Sequence, residues 1–320
     1  MTSRRRSRPI CIRSAPPYPS RVPTYKLTIA YDGSAFHGWQ KQEVDPDSPS
    51  YAHDDFMQVR DGRAILRTVQ EVLEQGVRRV VREPIVIRGA SRTDAGVHAW
   101  SQVASFTSEP RPDAGVGWPA DRGCDTLVRA INSRLPSDVL VRDAQIVPCT
   151  FDPIADCQSK GYSYTFHVGN TRPLWDRARV YHTWHELDAH AMGEAASLLV
   201  GEHDFAAFAA INHNRKTTVR TIHACEVIEA PGEGSCPGGA GQGGPSGRIR
   251  LEVSGSGFLY NMVRIIAGTL HEVGRGKMDP ADIPAILRSG DCRCAGPTLP
   301  PQGLCLDWIR YRAHKPAPGR

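Results

Sequence analysis

The sequence predicts an α+β fold made of two β-α-β-β-α-β units in tandem, a duplicated ferredoxin-like arrangement whose sheet is mainly antiparallel. Three observations predict it. Short segments alternate apolar and polar residues with the period of a half-buried strand. Longer segments space apolar residues by three and four, as amphipathic helices do. The same order of the two patterns is met on either side of roughly residue 150.

Order is expected to begin at Tyr25, where Tyr25, Leu27, Ile29 and Tyr31 alternate with Lys26, Thr28 and Ala30. A polar loop from Val44 to Gly62 leads to a helical pattern in Ile65, Leu66, Val69, Val72, Leu73 and Val77. Two short strands follow, around residues 84–88 and 102–106. Asp125 is a candidate N-cap for a second helix carrying Leu127, Val128 and Ile131 and stopping at Pro136. A strand near Val139–Val147 closes the first unit. In the second unit Tyr162, Tyr164, Phe166 and Val168 alternate as a strand. Asp188 is placed to cap a helix through Met192, Ala195, Ala196 and Leu199, with Gly201 as its C′ residue. A strand near residues 221–228 is followed by the Gly/Pro-rich stretch Pro231 to Gly247, whose composition suits only a loop. Ile249, Leu251 and Val253 alternate again. Leu259, Val263, Ile266, Leu270 and Val273 mark a helix by their 4-3-4-3 spacing. A last strand is expected near residues 304–309.

These patterns divide the chain into a basic extension (1–24), a first α/β half (25–150), a second (151–312) with its 231–247 loop, and a tail (313–320). With 320 residues, 40% apolar and 23% charged, the chain is globular in composition and long enough for two domains. No apolar run approaches about 18 residues, which excludes a spanning helix as an expectation. Nine scattered cysteines, an odd number, suggest reduced thiols in the cytoplasm. The net charge of +5 is concentrated at one end. Arg4, Arg5, Arg6, Arg8, Arg13 and Arg21 stand in the first 22 residues without an acid, so about −1 is left for the rest. Any surface for a polyanion must therefore come from local placement of charge. The proline-rich extension reads as disordered, although a basic arm on RNA backbone or a transit peptide fits its lack of acids.

The densest chemistry lies in Gly89-Ala90-Ser91-Arg92-Thr93-Asp94-Ala95-Gly96-Val97-His98, a loop between two strands with glycine near each end. In extended chain Arg92 and Asp94 share a side, and a guanidinium there would lower the pKa of the acid. An Asp kept anionic in a partly dry cleft suits a nucleophile or base. An Asx turn with a surface ion pair fits the same spacing.

Arg92-Thr93-Asp94-Ala95-Gly96-Val97-His98-Ala99 resembles the catalytic motif of the tRNA pseudouridine synthase A family. Three more segments resemble that family in the same order: Tyr31-Asp32-Gly33 through Phe36-His37-Gly38-Trp39-Gln40, then Lys160-Gly161-Tyr162-Ser163-Tyr164, and Gly257-Phe258-Leu259-Tyr260-Asn261-Met262-Val263-Arg264. The resemblance covers roughly Tyr25 to Tyr311. It implies an isomerase that converts uridine to pseudouridine at positions 38, 39 and 40 in the anticodon stem-loop of tRNA. It also implies a homodimer in which one tRNA contacts both subunits, around a central cleft, with no cofactor, no metal and no membrane association. The essential aspartate would be Asp94. Whether it attacks C1′, adds to C6, or takes a proton from C2′ stays open.

The resemblance assigns substrate contact to Tyr162 and Leu304 and supporting roles to Arg92 and Arg264. Tyr162 could equally be core, since it shares a strand face with Tyr164 and Phe166. Arg264 interrupts an apolar helix, where an unpaired charge is costly, so it needs an anionic partner such as Asp94 or a route to solvent. Leu304 alone is an ordinary strand leucine. A base that must detach and turn cannot stay stacked, which requires an everted nucleotide. The sequence departs from the usual pattern at Ser91, where glycine is usual, and in the extra segments 1–24, 43–62 and 231–247.

Other constellations are weaker. His182, His185 and His190 have no regular ligand spacing, and Cys292 and Cys294 lack a second pair. Arg60, Arg63, Arg78, Arg79 and Arg82 are dense enough for a basic helix edge that meets RNA, or for a solvated face. Two other functions fit the same residues: a catalytically silent RNA-binding protein, and a hydrolase pairing Asp94 with His98.

Overall fold

The computed structural model describes residues 22–45, 58–60, 63–210, 217–231 and 247–312. The expected 1–24 extension and 313–320 tail lie outside the described residues except at Val22–Thr24, as does the 231–247 loop between its two ends.

The first run of elements is β1 (Thr24–Tyr31), β2 (Glu43–Val44), β3 (Gln58–Arg60), β4 (Arg63–Ile65), α1 (Val69–Val81), β5 (Arg88–Gly89), β6 (His98–Thr107), α2 (Cys124–Asn132) and β7 (Val139–Val147). The second is β8 (Cys157–Val168), β9 (Tyr181–Thr183), α3 (Ala189–Ser197), β10 (Gly201–Asp204), β11 (Val219–Pro231), β12 (Gly247–Gly255), α4 (Met262–Gly274), α5 (Ile283–Ser289) and β13 (Leu304–Tyr311).

The fold is a mixed α+β one around a single large sheet. Its strands lie in the order β10-β11-β12-β8-β13-β6-β1-β7, with β5 added to β6 and β9 to β8. Among the described residues only β13–β6 and β8–β9 are parallel. The alternation in β1 is a burial pattern: Tyr25, Leu27, Ile29 and Tyr31 are all in the core. Against them α1 presents Val69, Leu73, Val77 and Val81, spaced to fall on one helix face. Helix α4 is buried on most sides and includes Val263, Ile266, Leu270 and Val273.

The two runs meet at a narrow seam. Strand β13 pairs with β6 only through Cys305–His98 and Leu306–Ala99. Beyond that point β6 continues beside β5, at Arg88–Ser105 and Gly89–Ala104, whereas β13 continues beside β8. The sheet therefore opens on one side of the seam, and the opening sets the place of a cleft.

Several expected boundaries are corrected. Helix α1 begins at Val69, because Thr68 is extended and its side chain accepts from Glu71 N; Ile65 belongs to β4. The described part of the 44–62 loop carries strands, β2-β4-β3 in order. The strand expected over 84–88 shrinks to Arg88–Gly89. Ile85 and Ile87 are buried, but the backbone at Ile87 bonds to side chains of α1: Glu74 Oε2 accepts from its N–H (3.1 Å) and Gln70 Nε2 donates to its carbonyl (2.8 Å). Gly123, not Asp125, is the N-cap of α2, and Asp125 lies in the first turn. Helix α3 keeps Asp188 as its cap but ends at Ser197, with Leu198 as its C-cap, and Gly201 opens β10. Helix α4 starts at Met262 rather than near Leu259, because Asn261 just before it is left-handed (φ 61°).

Candidate active site

The loop bearing Asp94 is clamped from two sides. From β6, Val103 O accepts from Ala90 N (2.8 Å), and Gln102 bonds both backbone groups of Ser91, accepting at 3.2 Å and donating at 2.6 Å. From the other side, Trp39 N donates to Thr93 O (3.0 Å) and Gly96 N to Phe36 O (3.2 Å), while Tyr31 and Thr93 share a hydroxyl bond of 2.7 Å. Within the loop Val97 N donates to Asp94 O at 3.2 Å. Residues 36–39 therefore act as a buttress. Gly38 is needed there on two grounds: its φ is +90°, and a Cβ would stand 2.7 Å from Thr93 O.

This arrangement puts Asp94 in a cleft of about 960 Å³, between the α1 and α4 sides of the sheet opening. Asp94, Arg92, Tyr162, Arg264 and Leu304 all line it. Arg264 Nη1 lies 3.4 Å from Asp94 Oδ2 and is aimed by two further bonds, Nε to Leu299 O (2.6 Å) and Nη1 to Asn261 Oδ1 (3.0 Å). The left-handed turn at Asn261 thus serves the site as well as the helix start. Burial raises the pKa of the Asp94 carboxyl, and Arg264 offsets part of that rise. The ion pair is longer than the 2.7–2.9 Å or so of a tight charge-assisted bond, which fits the net upward direction.

Tyr162 is buried, its hydroxyl 2.9 Å from Ser91 Oγ and its ring edge-on to Phe258 at 5.2 Å. Burial pushes its phenol up to about 12, so it is neutral near pH 7. Tyr164 and Phe166, on the same strand face, are fully buried core, and Tyr162 is the member of that row that reaches the cleft. Leu304 supplies apolar wall at the first residue of β13.

A model of the tRNA pseudouridine synthase family matches residues 195–312. The chain is 40% identical over 286 residues to the tRNA pseudouridine synthase A of Geotalea uraniireducens, covering 89% of this chain and 98% of that protein. It is 39% identical over 288 residues to the protein of that name from Citrifermentans bemidjiense, covering 90% and 97%. It is 36% identical over 286 residues to tRNA pseudouridine synthase A 2 of Clostridium perfringens, covering 89% and 98%. The chain belongs to the tRNA pseudouridine synthase A family. It is a pseudouridine synthase, hence an isomerase.

In the enzyme two sequence expectations fail locally. Arg92 lines the cleft but makes no ion pair with Asp94 among the described residues; Arg264, 170 residues away in the chain, is the partner. The pKa of the acid accordingly goes up, not down, because burial outweighs one guanidinium at 3.4 Å. His98 takes no part in the cleft. Its Nδ1 accepts from Gly33 N (3.1 Å), its Nε2 faces Ala178 O (2.8 Å), and burial lowers its pKa, so the pairing a hydrolase would need is absent among the described residues.

The basic helix edge is also divided. Arg78 is bound to Glu74 (2.6 Å) and donates to Ile85 O (2.9 Å), Arg63 pairs with Glu43 (3.5 Å), and Arg79 and Arg82 are exposed. The side chain of Arg60 lies outside the described residues. His182 bonds Gly169 O and His190 pairs with Glu194 on α3. Among the described residues no group of three or more His, Cys, Asp or Glu is placed to hold a metal.

Two contributors had no role in the sequence reading. Lys160 Nζ donates to Ala90 O (2.9 Å) and lies 3.2 Å from Ser91 Oγ, and Phe258 braces Tyr162. Both stand inside quoted motifs; only the pairing of β8 with β12 and β13 brings them to the Asp94 loop.

Proposed function

We propose that the enzyme isomerises uridine to pseudouridine in the anticodon stem-loop of tRNA, at positions 38, 39 and 40, with Asp94 as nucleophile. The observation that carries this reading is Asp94 in the cleft, ion-paired to Arg264 and walled by Tyr162, Phe258 and Leu304. The reaction breaks the N1–C1′ bond and joins C5 to C1′. The hydrogen lost from C5 goes to solvent and N1 gains one, so atoms and electrons balance without a co-reactant. Such a reaction needs a flat apolar slot that holds a detached uracil without fixing its in-plane rotation, and one charged group beside the sugar. The cleft offers both. Arg264 favours the carboxylate form against the effect of burial, and Arg92, exposed and lining the cleft, is assigned to the incoming phosphates. Tyr260, 56% exposed, offers an aromatic face to unstacked bases at the mouth.

The strand neighbours support two ferredoxin-like halves, 25–150 and 151–312. With β2–β4, β9 and β10 left out and the remaining four strands of each run numbered in order, β7-β1-β6-β5 and β13-β8-β12-β11 both read 4-1-3-2. The functional unit in this reading is a cytoplasmic homodimer with one tRNA contacting both subunits. No helix of the described residues is long and apolar enough to cross a membrane.

The test is incubation of purified enzyme with tRNA carrying 5-tritiated uridine, with no metal or nucleotide added. Release of tritium to water, with pseudouridine mapped to positions 38–40, is the expected result. Binding of tRNA without release would favour the silent RNA-binding alternative and defeat the proposal.

A further inference from the structure

We propose that Ser91 is a positioning residue, whose hydroxyl, oriented by Lys160, fixes the hydroxyl of Tyr162 toward the uracil that enters the cleft. The inference rests on the reading of this cleft as the catalytic site. The backbone at Ser91 is not in the left-handed region, so its conformation does not call for glycine. Both its backbone groups are held by Gln102, which leaves only the side chain to be accounted for. That side chain is buried and touches two polar groups from β8: Tyr162 Oη at 2.9 Å and Lys160 Nζ at 3.2 Å.

Proton direction follows from the chemistry of the three groups. An ammonium has only donors, so Ser91 Oγ accepts from Lys160. A hydroxyl that accepts from a cation is the better donor through its own hydrogen. The chain therefore runs from Lys160 to Ser91 to the oxygen of Tyr162, and the phenol hydrogen is left to point into the cleft, toward a carbonyl oxygen of the base. Phe258 packs edge-on at 84° and holds the ring plane, so the hydroxyl rotor is the freedom that Ser91 removes.

The experiment is a double-mutant cycle with single-turnover tritium release from saturating tRNA. Ser91→Ala and Ser91→Gly are each expected to slow release roughly tenfold, the scale of one buried hydrogen bond made useful in the transition state, with tRNA affinity changed by less than about twofold. In a Tyr162→Phe background Ser91→Ala is expected to cost less than about twofold more, because the hydroxyl it acts through is gone. A Ser91→Ala enzyme at full speed, a loss confined to tRNA affinity, or an equal loss in both backgrounds would each overturn the inference. Asp94→Asn run alongside separates the two levels: if it still turns over, the reading of the cleft fails, and if it is dead while Ser91→Ala is unimpaired, only the role of Ser91 fails.

Discussion

Asp94 carries two opposed influences, and their balance has a consequence that can be titrated. Burial favours the neutral acid, and Arg264 favours the carboxylate. The proposed chemistry uses the carboxylate, so turnover falls as pH drops through the Asp94 pKa, and that acid limb lies above the ordinary carboxylate range. Replacing Arg264 with Gln removes the influence that lowers the pKa. The limb of kcat/KM is then expected to move to higher pH, and turnover near pH 7 to fall by about 10- to 100-fold. A limb that stays in place while the rate falls would show that Arg264 acts on the substrate and not through Asp94. At this scale the sequence was informative about residue types and offered two partners for Asp94. Asp94, Tyr162 and Arg264 could be named from motifs, with Asp94 as the candidate partner of Arg264, but spacing alone put Arg92, two residues away, beside the acid as well. The true partner is on α4, and the pairing depends on Asn261 and Leu299 aiming Arg264, which no local pattern reveals.

Among the elements, the short segment at 36–39 decides where the Asp94 loop stands. Gly38→Ala forces a Cβ against Thr93 O at a positive φ, and a backbone atom cannot give way as a side-chain tip can. The variant is expected to lose about 1–3 kcal/mol of stability and to slow turnover more than tenfold, as read by thermal unfolding and tritium release. Gly193 in α3 is the matched control. Its Cβ would meet nothing within 4 Å, so Gly193→Ala should leave turnover intact and stabilise by about 0.5–1 kcal/mol, the usual gain in a helix interior. A Gly38→Ala enzyme that behaves like the control would remove the buttress from the account. Element boundaries were legible where side chains alone set them, as in β1 and the middle of α1. They were missed where a backbone group found an unusual partner. Ile87 has strand-like burial, but its bonds go to Glu74 and Gln70, and Asn261 takes a left-handed turn that delays α4.

For the whole molecule, the cleft exists because two runs of strands share a seam of two residue pairs and then part. The alternation of strand and helix patterns carried the order of elements, and hence the mixed α+β class. It could not carry the joining of β13 to β6, which pairs residues about 200 positions apart and has no sequence period of its own. That seam brings Leu304 and Tyr162 to the Asp94 loop, so the proposed catalytic site and the fold meet in one feature. The proposed function spreads tRNA binding over the surface around the opening and assigns bond exchange to one carboxylate inside it. The two should therefore separate cleanly in Asp94→Asn, which keeps the shape of the side chain and removes its charge. No tritium release from 5-tritiated tRNA is expected over the time in which wild-type enzyme completes the reaction, with tRNA affinity within about threefold of wild type. Sustained release by Asp94→Asn, with the bound tRNA unchanged, would contradict that assignment.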